Sequence, residues 1–543
     1  MKKSVPVLGA LFVCMVFCFG GCSQSKSASQ NPTSPGITTP VGQYPVQTNT
    51  TLSYWLELHA NISPNFPNIG QSPFGKGLQE HTGIKVNFLH PPIGANASRE
   101  QLNLMIADGT NLPDIIEWRW TSPSMFPGGP QKAINDGVII KLNDIIDKYC
   151  PHFKAFLKAN PEFDRMVKTD DGSYYAFPFI RGAEKLLYSQ GLYIRKDWLE
   201  ELNLPIPDTI DEWRMVLTGF KEQKNTPAPF TMVYTNNAKM FVDSFGIMKD
   251  FYISADDGKV HYGQIETGYR RWLETMAQWY REGLIDPDIA SIQTSQMNQK
   301  MTTGQSGAAV GSIGSGMGNW TAAARGVNPD YELIALPFPV EKKGDKRIYS
   351  SGAGQYYSGQ NSAAISGSSK NVEIAARFLD WGYSPEGHRY YNFGNQGEAY
   401  TMDNDYPVYT DMIKNNPQGW SFAQSLAAYA RGNMAGPFVQ DERYIEQYYA
   451  LPEQAQALVS FVVPGATNYV LPSVTATPEE SRELARISND VNTYAEEMIT
   501  KFILGTEAIN DQTWNTFVNN IKRLEIDRAL EIQNASLERY KNR

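Results

Sequence analysis

The residues best suited to chemistry in this sequence are aromatic. Trp118, Arg119 and Trp120 follow the apolar pair Ile115-Ile116, so two indoles flank a guanidinium where a short strand should open into a loop. If the backbone stays extended there, Trp118 and Trp120 share a side. Tyr175, Trp320, Tyr356, Tyr357, Tyr400 and Trp420 stand near glycine, proline or asparagine in other expected loops. Flat apolar faces with a few polar neighbours suit sugar rings. Taken singly, each ring is as readily explained by core packing. Motifs for bond-making are missing: there is no HExxH, no paired-cysteine zinc spacing and no GxSxG. The Gly304–Gly318 stretch fits neither a phosphate loop nor a dinucleotide fingerprint. Acidic residues are plentiful, so a carboxylate pair for glycoside hydrolysis stays open as an alternative.

The elements that must position these rings can be read around Gln79–Trp120. Ile84–Leu89 alternates as a strand. Ser98 with Gln101 forms a capping-box pattern for a helix, and Leu102, Met105 and Ile106 fall on one face of it. Asp108-Gly109 should stop that helix, and Pro113–Ile116 enters a second strand. The unit is βαβ and predicts a parallel sheet, whose ligands bind beyond the carboxyl ends of the strands. Thr51–Leu58 reads as another strand leading to the same crevice through His59-Ala60-Asn61. Thr209 caps a helix, Trp272, Met276 and Trp279 form the buried face of another, and 308–311 and 331–336 read as strands. Glu479–Leu504 is a long helix opened by Thr477-Pro478, and Trp514–Tyr540 is a second. Asp403-Asn404-Asp405 reads as a hairpin turn.

Length, at 543 residues, allows two or more domains, and the net charge of -9 without a Lys/Arg cluster argues against nucleic acid. Residues 1–21 read as a signal peptide: Lys2 and Lys3 precede an apolar run too short to span a membrane comfortably. The run ends in Phe19-Gly20-Gly21-Cys22, which resembles a bacterial lipobox with Phe19 in the usual leucine position. That resemblance implies cleavage before Cys22 and its lipidation; an ordinary secretory signal is the alternative. Residues 22–50 then read as the lipidated cysteine and a flexible tether, whose coil spans roughly 30 Å. With Cys22 lipidated, Cys150 stands alone as a buried structural thiol.

Several segments together resemble one family: EHTGIKV (80–86), LNLMIADGTNLPDII (102–116), DGSYYAFP (171–178), GLYIRKDWLEELNLPIPDTIDEWRMVL (191–217), YREGLIDPDIA (280–290), FGNQGEAYTM (393–402) and the stretch 477–505. In order and spacing they are similar to the extracellular solute-binding lipoproteins of sugar ABC importers. The resemblance implies an α/β, type II periplasmic-binding-protein-like fold, with two lobes of mixed sheets flanked by helices and three hinge crossings. It places lobe 1 at 51–178 plus 303–350 and lobe 2 at 179–302 plus 351–543, with crossings near Pro178, Gly304 and Gly352. It implies a non-enzymatic, monomeric protein anchored on the outer face of a Gram-positive membrane, with an oligosaccharide ligand and ABC permease subunits as partners. In that architecture Trp118, Trp120 and Trp320 would stack rings from lobe 1. Tyr400 and Trp420 would close from lobe 2, and Tyr175, Tyr356 and Tyr357 would lie by the crossings. Arg119 and Arg181 would bind hydroxyls, or a carboxylate if the sugar is a uronate. No cofactor is expected; a structural calcium, which the resemblance allows, would fall at Asn203–Glu212, which has prolines where oxygen ligands would help. A tethered carbohydrate-active enzyme and a peptide-binding or sensory protein are the alternatives.

Overall fold

The structure is a computed structural model and describes residues 37–543 apart from 110–111, 234–240, 360 and 432–434, and apart from the side chain of Ala95. Cys22 and the signal peptide lie outside the described residues. Strand β1 (Thr51–Trp55) pairs in parallel with both β2 (Lys85–Leu89) and β3 (Ile115–Trp118). The strand Ser362–Ile365 joins β3 in antiparallel register, with Ser362 opposite Trp118, so the sheet order is Ser362–Ile365, β3, β1, β2. The expected βαβ unit is present, with β1 inserted between its two strands. Its helix spans Ala95–Asp108 and ends at Gly109, whose φ of 67° is left-handed. Its start differs from the capping-box expectation: the N-cap is Gly94, and Ser98 lies inside the first turns, donating to the carbonyl oxygens of Pro92 and Gly94. A hydroxyl that bonds carbonyls of the preceding turn has no capping task left.

A second mixed sheet runs Leu333–Leu336, Gln190–Arg195, Ala308–Ser312, Phe230–Thr231. Its first two pairings are antiparallel and its last parallel. This corrects the expected division of the chain. Residues 308–312 and 333–336 belong with Gln190–Arg195, not with the first sheet, whereas Ser362–Ile365 belongs with the first sheet rather than the second. Core membership changes near Arg181–Leu186, between Tyr349 and Tyr357, and between Phe438 and Ile445. Those three passages replace the expected set; Gly304 sits within the second body, ahead of a strand flanked there on both sides.

The expected tether is also shorter than drawn. Residues 37–50 pack on the first body: Val46 is buried and its amide donates to the Thr82 carbonyl. The Tyr44 hydroxyl donates to the Arg377 carbonyl (2.6 Å), and Arg377 Nη2 donates to the carbonyls of Thr39 and Pro40 (2.9 and 2.7 Å). Two apolar anchors and one guanidinium suffice to order a polar segment. The C-terminal stretch forms three helices, Pro478–Leu504, Asp511–Arg523 and Ile526–Lys541, because Glu525 adopts a left-handed φ of 68° where one continuous helix was expected. Cys150 is a free, buried thiol. Trp272, Met276 and Trp279 lie in the second core as their spacing requires.

Candidate functional site

Parallel pairing puts the carboxyl ends of β1, β2 and β3 on one edge of the first sheet. Three exits open there: Leu56–Asn61, His90 onward, and Arg119–Ser122. Because Ser362–Ile365 runs antiparallel, the segment entering it, Ser358–Gly359, arrives at the same edge. Gly359 has a φ of 69°, and a Cβ there would lie on the Thr121 side chain, so only glycine lets this passage sit against the β3 exit. A cavity of about 300 Å³ lies at this edge, between Arg119, Thr121 and Ser122 on one side and Leu471–Ala476 on the other, with Gln355 and Ser358 from the second passage.

Charge at the crevice is tightly paired. Arg119 Nη1 and Nη2 donate to Glu57 Oε1 and Oε2 at 3.1 and 2.5 Å, filling the guanidinium fork. Behind them Arg431 Nη2 donates to both oxygens of Glu117 (2.9 and 3.1 Å), and the Tyr54 hydroxyl donates to Oε2 (2.7 Å). Burial pushes the Glu117 carboxyl up against the opposing pull of Arg431. His59 and His90 are held low, first by burial and also by the Arg431 charge. Their hydrogen bonds agree. His90 Nε2 accepts the Ile69 amide hydrogen while Nδ1 faces the Leu56 carbonyl, and His59 Nδ1 accepts from Asn61 N. Each ring is therefore a neutral tautomer. Glu57 and Glu117 are both bound by arginine, so neither is poised as a general acid or base.

Most of the expected stacking rings have no face to offer. Trp118 and Trp120 are 0% exposed. The strand ends at Trp118 and the chain turns at Trp120, so alternation does not carry past it; both rings are core, and Arg119 between them keeps some exposure. Trp118 packs on Trp55 (centroids 5.5 Å) and Trp120 on Phe126 (5.2 Å), and each indole N–H donates to a backbone carbonyl, of Met125 and Ser362 respectively. Trp320 is likewise buried: its Nε1 donates to Asn298 Oδ1 (2.7 Å) and its ring lies on Gly311. Tyr175 and Tyr357 join their hydroxyls (2.5 Å) inside the first core, and Tyr400 is buried against Phe393. Retaining exposure are Arg119, Arg181, Tyr356 and Trp420. Tyr356 and Arg181 meet at the passages, where Arg181 N donates to the Tyr356 carbonyl and Nη1 to that of Gln355. Burial lowers the pKa of Arg181, beside Tyr444 and Tyr449. Trp420 stands edge-on to Phe66 (5.7 Å).

Glu57, Thr121, Ser358 and Arg431 are the site residues that sequence reading missed. Glu57 carried a signal: it follows β1 as Arg119 follows β3, with opposite charge on adjacent parallel strands. Arg431 carried none, since it reaches Glu117 across 314 residues. Among the described residues no group of three or more His, Cys, Asp or Glu is placed to hold a metal ion. In the loop Asn203–Glu212, Asp208 pairs with Arg347, and Glu212 accepts the amides of Asp208 and Thr209 to close a capping box. No described helix is long and apolar enough to cross a membrane.

Two α/β lobes passed three times by the chain, with a polar crevice at strand ends, define a two-lobe, periplasmic-binding-protein-like fold. The chain belongs to the bacterial extracellular solute-binding protein family, whose sequence model matches residues 63–389. It is similar to the fructooligosaccharide ABC transporter substrate-binding protein FusA of Streptococcus pneumoniae serotype 4, 24% identical over 568 residues that cover 99% of this chain and 98% of the relative. Lipoprotein LipO of Bacillus subtilis is 22% identical over 397 residues, 71% of this chain and 74% of that one. Among solved structures, alginate-binding protein AlgQ2 without calcium ion superposes with a TM-score of 0.70 at 27% identity, covering 90% of this chain and 98% of that chain.

Proposed function

We propose that this chain is the cell-surface receptor of an ABC importer, capturing an oligosaccharide between its lobes and delivering it to permease subunits. The observation that carries the reading is the crevice at the ends of β1 and β3, with its hydroxyl and amide lining of Thr121, Ser122, Gln355 and Ser358 beside passages between the lobes. Such groups match sugar hydroxyls, and a ligand touching both lobes would stabilise the closed form. End-to-end similarity to a fructooligosaccharide-binding protein supports the ligand class. Tyr356 and Trp420 are the rings retained as candidate stacking surfaces, and Arg119 and Arg181 as candidate polar contacts. Lipidation at Cys22 would hold the monomeric protein on the outer face of the membrane.

Intrinsic tryptophan fluorescence and melting temperature, titrated with neutral and uronate oligosaccharides and with peptides, test this. At least one saccharide is expected to shift both signals, since a ligand at a hundred times its Kd stabilises by about 2.7 kcal/mol. A response to peptides with none to any saccharide rejects the reading.

A further inference from the structure

An oligosaccharide can be neutral or can carry a carboxylate on each ring, and the charge at the crevice bears on which is accepted. A carboxylate leaving water needs a cation whose charge is not already matched, or several converging N–H groups. At the described crevice the fork of Arg119 is filled by Glu57 at 3.1 and 2.5 Å. Arg431, almost wholly buried, is matched by Glu117. His59 and His90 each accept a backbone amide hydrogen on one ring nitrogen, which leaves them uncharged. Farther along the third passage, Arg443 is held by Asp441 and Lys185 by Glu442 and Glu446. Each of these cations is thus matched in place, and Thr121, Ser122, Gln355 and Ser358 face the cavity with hydroxyls and an amide.

We propose that the ligand is an uncharged oligosaccharide, and that Glu57 sets this specificity by occupying Arg119. The inference rests on the oligosaccharide reading above. A uronate chain would have to displace Glu57 and leave its carboxylate facing another, whereas a neutral sugar can accept from Arg119 and donate to Glu57 with the pair intact.

The test uses the full chain at low ionic strength. Neutral tri- and tetrasaccharides of the fructan and raffinose series are compared with tri- and tetragalacturonate by calorimetry and melting temperature. The neutral series is expected to bind at least tenfold more tightly. Glu57→Gln, which frees the Arg119 fork, is expected to raise galacturonate affinity at least tenfold; Glu57→Asp, which keeps the charge, is expected to leave it within about threefold of the unmodified chain. Tighter binding of galacturonate by the unmodified chain overturns the inference while leaving the oligosaccharide reading standing. In that case Arg181, at the first passage, is the cation to examine. Equal galacturonate affinity in the Gln and Asp variants overturns the role of Glu57. Binding of neither series, with peptides bound instead, removes the parent reading and this inference together.

Discussion

Asp380 is a carboxylate with no exposure to water, accepting the Phe153 amide hydrogen at 2.7 Å. Burial, the dominant effect, raises its pKa from 3.8 to about 6. A raised pKa means that the folded state holds the proton more tightly than the unfolded chain. The stabilisation is full below about pH 4 and is lost as the pH rises through about 6. Asp380→Asn, which keeps an oxygen for the Phe153 amide, should flatten that slope. The change in unfolding free energy between pH 4 and 7, at most about 3 kcal/mol from this group, is read by urea denaturation. Trp118 gives a second residue-scale prediction. Since its ring is enclosed, Trp118→Phe should cost about 1–3 kcal/mol of stability yet leave saccharide affinity within about twofold. A tenfold loss of affinity in a variant that still melts cooperatively would return Trp118 to the binding surface.

At the scale of elements, the strand Ala308–Ser312 depends on a glycine. A Cβ on Gly311 would lie 2.3 Å from the Trp320 ring, so the close contact between the strand and the helix beginning at Asn319 requires its absence. Gly311→Ala should cost about 1–3 kcal/mol by overpacking and should shift the Trp320 emission as its bond to Asn298 is strained. Denaturation followed by fluorescence reports both. Helices announced by local chemistry were legible in the sequence: Thr209 with Glu212, and Thr477 with Glu480, close capping boxes. Ser98 showed the same pattern and failed, because the chain before it supplied carbonyls for its hydroxyl.

For the molecule as a whole, the C-terminal helices tie the two bodies together. Asp170, in a turn of the first body, accepts from Arg539 and from Arg543, whose side chain is 1% exposed and also reaches the Thr475 hydroxyl and the Lys168 carbonyl. Arg539 bridges on to Glu480 at the start of the long helix, and Ser481 accepts the Gly128 amide. Asp170→Asn leaves Arg543 without its counter-charge and Arg539 with Glu480 alone, and should cost about 2–4 kcal/mol. Differential scanning calorimetry should show a lower melting temperature; an unchanged one would mean that these contacts add nothing to the join.

The sequence by itself determined the family, the βαβ unit of the first sheet, the caps and turns of many helices, and the crevice at the ends of β1 and β3. These rest on local preferences and on periodicity, which act within a few residues. Only the tertiary structure decided which face of β3 was interior, and hence that Trp118 and Trp120 are core while Arg119 meets Glu57. It alone decided that Ala308–Ser312 pairs with Gln190–Arg195 and that Arg431 answers Glu117. The physical reason is the same in each case. A strand covered on both faces hides its inward side from any pattern of polarity, and a pairing between distant segments depends on what the rest of the chain leaves beside them.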